Sequence, residues 1–560
     1  MSVSRLLLIG LDGLEPTLVR RWITSGDLPH LARLRDAGRW GPLRSTLPFA
    51  TFPAWTSMMT GVNPGEHGVF DFARLIRGTY DVEFVGAAVR RRPSLPALAS
   101  EAGLRVACVG FPATYPPEPI NGIMIGGFDS PVAVSIDDSF VHPPQLAEEL
   151  ERRFGRYVFA DFAETRSWLP GWHRRAARKL LGGLERRARI AHHLLDREPW
   201  DLFMVHFGES DTAAHHFWAF HDPSSPRHPG PRASAELQMT LQRVYMALDD
   251  AVGRLIAQAG DDAHVMIVSD HGFGGAGDKV LYLNRWLASH GWLTFTPRPG
   301  AAQVALGASI RAGLNLVPGR AQQWLWRAAG SLAGRAEARR RFAGIDWART
   351  RAFSEELSYH PSIRLNRAGR EPLGLVSDDR VQAEVDALVT ALEALRDPWT
   401  GAQVVRRAWR REELYSGPAV DDAPELVLEL ALDDGYAYNL LSSGGPGPIW
   451  RRLAPRERLG AKGAGMNGTH RRDGFWLVHG PRVAPRRKRA DMLDIAPTAL
   501  AALGHLPPAW MEGRSHLPPD DRAIVVAPPS GGVTPERRPG SYTPAQQAVV
   551  EARLRRLGYL

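Results

Sequence analysis

The sequence predicts an α/β fold, a doubly wound and mainly parallel sheet with an inserted helical cap. Three observations lead there: short apolar runs that stop abruptly at polar or glycine residues, helix-like stretches between those runs, and a segment near 295–345 of different composition. The runs at 5–10, 104–110, 201–206 and 264–269 are continuous rather than alternating, the pattern of strands covered on both faces. The stretches at 28–37, 145–154, 176–195 and 235–260 place apolar residues at helical spacing with charge between them. Strand and helix in alternation give a parallel sheet flanked by helices.

The segment 295–345 is rich in Ala, Gly, Arg and Trp, with Trp324, Trp326 and Arg335 among them. It reads as helices outside the sheet, a cap beside the strand ends. Strands expected at 423–429 and 474–479 and a helix opening within 490–498 then resume the core. Residues 527–540 hold four Pro and three Gly and read as a linker. A last helix follows it, with Thr543 as cap, Pro544 in the first turn and Val550, Leu554 and Leu557 on one face. The expected organisation is a first core part at 1–294, the cap at 295–345, a second core part at 346–526, and linker plus terminal helix at 527–560.

A chain of 560 residues with 44% hydrophobic and 23% charged residues has the balance of a globular protein with a large core. The net charge of +9 is modest for this length, and only four of the 69 basic residues are Lys. It favours acidic substrates as a field and points to no specific nucleic acid. The runs Arg90–Arg92, Arg174–Arg175 and 486–489 read as solvated faces. A single cysteine, Cys108, excludes an intrachain disulfide and a Cys-based metal cluster, and its apolar neighbours make it a buried thiol. The apolar stretch at 6–11 is too short for a signal-peptide core, and no run reaches the roughly 18 apolar residues of a membrane helix. The expected location is cytoplasmic.

The polar residues that end the strands carry the chemistry, because open α/β sheets bind ligands beyond the carboxyl ends of their strands. Asp12 sits between two glycines at the end of the first run, Asp211 and His215 are four apart and would share one face if a helix starts there, and Asp270 and His271 precede a Gly-rich turn. His470 lies in Asn467-Gly-Thr-His470. Three carboxylates and three imidazoles suffice for two divalent ions in the mixed N/O environment that suits zinc or manganese. The run Pro48-Phe-Ala-Thr-Phe-Pro-Ala-Trp-Thr-Ser-Met-Met-Thr-Gly61 opens a probable helix with two hydroxyls, Thr51 and Thr56. Either could aim at an anion from the helix N-terminus or simply cap it. Residue chemistry alone does not choose between them.

In these motifs and their order the chain resembles the alkaline phosphatase superfamily, specifically its type I phosphodiesterase and nucleotide pyrophosphatase branch. The resemblance covers about residues 5–290 and 355–515: the strand-end Asp12, the Thr-Phe-Pro run with Thr-Gly and Pro-x-x-His-Gly after it, Asp-x-x-x-His, Asp-His-Gly and Gly-x-His. It implies that Thr51 is the nucleophile, that Asp12, Thr51, Asp270 and His271 hold one metal, and that Asp211, His215 and His470 hold the other. Thr56 and His67 then become structural. The implied reaction is hydrolysis of a phosphate ester through a phosphothreonine. Two places depart from nucleotide pyrophosphatases, which carry Asn where this chain has Ala54 and Phe72. The Cys/Ser-x-Pro-x-Arg motif of sulfatases is not present at Thr51-Phe-Pro-Ala-Trp55.

Two other readings use the same residues. An alcohol in place of water would make the chain a phospho-group transferase to a lipid or glycan acceptor. Alternatively the Arg- and Trp-rich segment binds an anionic or membrane surface, with hydrolysis secondary; packing over the active site is the favoured role for it. The expected partner is a small-molecule or lipid/glycan phosphate ester.

Overall fold

The opening apolar run becomes the Leu6–Leu11 strand, buried at every position. In the computed structural model, residues 4–127, 140–155, 169–296, 342, 344–459, 465–481, 483–518 and 524–525 are described. Leu6–Leu11 pairs in parallel with Leu202–Phe207 on one side and His264–Val268 on the other. Val106–Val109 and Gly122–Ile125 extend the parallel order beyond Leu202–Phe207. Asp473–His479 and Arg39–Arg44 add antiparallel strands beyond His264–Val268. The result is a ten-stranded, mainly parallel α/β sheet.

Alternation along Leu6–Leu11 divides the core between the two faces of this sheet. Leu7, Ile9 and Leu11 face the helices Trp172–Arg197, Glu209–His221 and Thr240–Ala259, while Leu6 and Leu8 face Thr51–Thr60, Leu95–Glu101 and Ile495–Ala502. Helices on both faces are what the continuous apolar runs require. The helix expected at 176–195 begins earlier, at Trp172, and the one expected at 235–260 is divided into Ala235–Gln238 and Thr240–Ala259. The strand at 474–479 and the helix after 490 lie in and on the central sheet. Arg90, expected on a solvated face, is instead buried and pairs with Glu118 at 2.6 Å.

The strand expected at 423–429 differs: Leu426–Leu430 belongs to a separate four-stranded antiparallel sheet with Ala352–Phe353, Ser362–Leu365 and Val405–Arg410. Its apolar side chains fill another core, packed with the Val381–Glu393 helix. Between the two sheets runs the ten-residue strand Gly272–Leu281, which leaves the end of the central sheet and pairs with Tyr436–Leu440, Trp450–Arg452 and Gly468–Arg471.

The cap expected at 295–345 lies outside the described residues except at its ends, where Phe295 bridges Ile345 and the Thr296 N–H donates to the Gly344 carbonyl at 2.7 Å. The linker at 527–540 and the helix expected after Thr543 also lie outside them. Among the described residues, no helix is long and apolar enough to cross a membrane.

Candidate metal centre

Three neighbouring parallel strands end together, and each delivers an acidic residue just past its last rung. Asp12 follows Leu6–Leu11, Asp270 and His271 follow His264–Val268, and Asp211 stands in the first turn of the helix after Leu202–Phe207. One helical turn carries the chain from Asp211 to His215. His470 arrives from a third, five-stranded sheet, because Gly468–Arg471 pairs with Gly272–Leu281 and sets His470 opposite Phe273. The six donors form two groups, Asp12 with Asp270 and His271, and Asp211 with His215 and His470, and all six are buried.

The three imidazoles present the same nitrogen for the same reason. Nδ1–H of His215 donates to the Gly468 carbonyl at 2.9 Å, that of His470 to Phe49 at 3.1 Å and that of His271 to Gly272 at 3.0 Å. A carbonyl only accepts, so each neutral ring keeps the lone pair on Nε2. Nε2 of His215 lies 3.2 Å from Nε2 of His470, and Asp211 Oδ1 lies 3.3 Å and 3.4 Å from the two. In the other group His271 Nε2 lies 3.5 Å from Asp12 Oδ1 and 3.3 Å from Asp270 Oδ2, and none of these three atoms has a hydrogen-bond partner among the described residues. The groups touch: the rings of His271 and His470 stack with centroids 3.7 Å apart.

Burial and the nearby charge of Asp12 push the Asp270 carboxyl well above the ordinary carboxylate range. Burial also acts to raise Asp211, but the His215 and His470 imidazoles outweigh it and hold that carboxyl well below the range. His271 is pushed down to about 3 by burial and then by His470, which keeps it neutral and able to ligate.

Residues 6–443 match the family described as type I phosphodiesterase/nucleotide pyrophosphatase. The chain belongs to that family. It is a phosphoric ester hydrolase of the phosphodiesterase/pyrophosphatase type, as the motifs led one to expect. Among solved structures it is similar to phosphonoacetate hydrolase from Sinorhizobium meliloti 1021 in complex with phosphonoformate, at 16% identity and a TM-score of 0.53, over 89% of this chain and 96% of that one. It is also similar to murine ectonucleotide pyrophosphatase/phosphodiesterase 5, at 12% identity and a TM-score of 0.46, over 92% of this chain and 97% of that one. No curated protein matches the sequence.

For a member of this phosphodiesterase family the donor set fits divalent cations. Donors about 2.0–2.1 Å from a tetrahedral ion stand about 3.3 Å from one another, close to the spacing among Asp211, His215 and His470. Acceptors facing acceptors at that distance repel unless a positive charge lies between them. Asp12 is oriented from behind: its Oδ2 accepts from Trp55 Nε1 at 3.2 Å and His206 Nε2 at 3.1 Å, leaving Oδ1 toward Asp270 and His271. Gly468 is required by close approach, since a Cβ there would meet the Ala214 carbonyl oxygen at 2.2 Å.

Thr51 is buried at the first position of the Thr51–Thr60 helix. The helix is tied to one donor group through Trp55 and Asp12, and the segment entering it is tied to the other through the Phe49 carbonyl and His470. Thr51 and Trp55 share a helix face, whereas Thr56 is rotated away from them. His67 has both ring nitrogens engaged, Nε2 with Ser57 Oγ at 2.9 Å and Nδ1 accepting from the Val69 N–H at 3.1 Å. Trp55, His206 and Asn467 were missed as supporting residues. A histidine inside the apolar run 201–206 was the available signal for His206. Asn467 joins the two segments of the second group, accepting from the Ala219 N–H at 2.8 Å and donating to the His216 carbonyl at 2.9 Å.

Proposed function

We propose that this chain cleaves phosphate esters with Thr51 as nucleophile beside two divalent cations, Asp12, Thr51, Asp270 and His271 holding one and Asp211, His215 and His470 the other. The observation that carries the reading is the convergence of six buried donors at three strand ends, with the segment 49–55 that holds Thr51 bonded to both groups. Zinc is the first choice and manganese the second, because mixed imidazole and carboxylate ligation suits both. Bound cations would supply Lewis acidity and lower the pKa of a coordinated hydroxyl.

The Thr51 hydroxyl releases its proton to solvent and its Oγ forms a bond to phosphorus as the bond from phosphorus to the leaving oxygen breaks in line, and the leaving alkoxide takes a proton from solvent. Water then attacks the phosphothreonine, the Oγ–P bond breaks, and Thr51 recovers its proton. Two in-line displacements give net retention at phosphorus. The positive end of the Thr51–Thr60 helix dipole suits the charge of a phosphoryl group beside Thr51. Ala54 and Phe72 supply no hydrogen bond to those oxygens; Phe72 packs on Phe52 with ring centroids 4.2 Å apart. The proposed substrates are therefore phosphate esters that do not depend on an Asn at either place.

Thr51→Ala is expected to abolish turnover of nitrophenyl phosphate diesters, and Thr51→Ser to retain measurable activity. Wild type quenched in acid during turnover should carry phosphate on the peptide bearing Thr51. Full activity in Thr51→Ala would overturn the nucleophile and leave attack by water.

A further inference from the structure

On the opposite side of the Gly468–Arg471 strand from His470, the surface opens into a cavity of about 720 Å³. Successive residues of a strand point to opposite faces, so His470 turns toward the donor groups and Arg471 toward this cavity. Seven guanidinium groups line it against three carboxylates. Two of those carboxylates are already engaged, Glu429 with Arg406 at 3.3 Å and Asp473 with Arg489 at 2.7 Å. The third, Glu15, accepts from the Leu18 N–H at 2.6 Å as the cap of the Pro16–Thr24 helix.

Arg20, Arg44, Arg472 and Arg487 therefore face the cavity without an ion pair among the described residues, and the Nε of Arg472 is buried without a hydrogen-bond partner. Like charges gathered around one concavity raise its potential and are stabilised by an anion inside it. Guanidinium forks match phosphate oxygens in pairs. The wall supplies ring surface as well: Trp40 and Phe475 lie with centroids 6.4 Å apart, and Arg487 sits over Trp40 at 5.5 Å. The volume is that of a small-ligand site.

We propose that this arginine-lined cavity is a second ligand site, separate from the metal centre, that binds a small molecule carrying several phosphate groups. The basic run at 486–489, expected to be a solvated face, is thereby part of a site through Arg487 and Arg489.

The test uses the full-length protein and a fluorescent polyanion that cannot be hydrolysed, 8-hydroxypyrene-1,3,6-trisulfonate, followed by anisotropy at fixed ionic strength. Inorganic tripolyphosphate is expected to displace it. The double variant Arg44→Gln/Arg487→Gln should bind the probe at least tenfold more weakly and hydrolyse bis-nitrophenyl phosphate within twofold of wild type. A control of equal charge loss on the far helix, Arg175→Gln/Arg178→Gln, should bind as wild type does. Unchanged affinity in the first variant, or an equal loss in the control, would overturn the proposal. So would collapse of turnover together with binding, which would assign the cavity to the active site, and displacement by phosphatidylserine vesicles but not by tripolyphosphate, which would make it a membrane contact.

Discussion

Of the two donor groups, Asp12 with Asp270 and His271 brings two carboxylates and one imidazole, whereas Asp211 with His215 and His470 brings one carboxylate and two imidazoles. The first is made of loop residues directly beyond parallel strands, and the second of a helix and an antiparallel strand. Their electrostatics differ in the same sense. Asp270 is pushed up by burial and by Asp12, while Asp211 is held down by its two imidazoles. Without a cation the first group is a pair of buried carboxylates in conflict, whereas the second holds a single carboxylate between two imidazoles. Equal ion charge is thus met by unequal need.

The largest effects should come from removing one donor of each group. Asp12→Ala and His470→Ala are each expected to lower turnover by about 10³-fold or more and to lose one of two bound ions, read by elemental analysis of the same preparations. Loss of both ions in either variant would show that the groups behave as one site. A finer separation comes from stability after chelation, at pH 8. Asp270→Asn replaces a carboxyl whose charged form burial and Asp12 disfavour, and should raise the stability of the metal-free protein. Asp211→Asn removes a charge that its neighbours favour and should lower it. Urea unfolding measures both, and the same sign in the two variants would break the contrast. The smallest effect is expected behind the first group: His206→Phe removes one of the two donors to Asp12 Oδ2 and should cost about 10–100-fold in metal affinity or activity, with Asp211, His215 and His470 still holding their ion.

The parts of this arrangement legible in the sequence were those written locally. Continuous apolar runs marked the strands 6–11, 202–207 and 264–268 because both faces are buried, and the acidic residues beyond them were adjacent in the chain. His470 was legible only through the ordered motifs, since the pairing that brings it to the site joins it to Phe273, far back in the chain. The run at 423–429 was readable as a strand, but propensity says nothing of which sheet a strand joins. Trp55 and His206 look like core residues in sequence, and their bonds to Asp12 exist only once two strands and a helix have met.

The pairing of Gly272–Leu281 with Gly468–Arg471 has a consequence for how the chain checks its own folding. Displacing that pairing by a single residue would turn His470 away and offer Thr469 or Arg471 in its place. A cation that binds the native arrangement and no other stabilises it by mass action. Chains zipped one step out of place would gain nothing from such an ion and would reopen sooner, so a cation held at these groups would act as a proofreader of strand alignment before it served any chemistry.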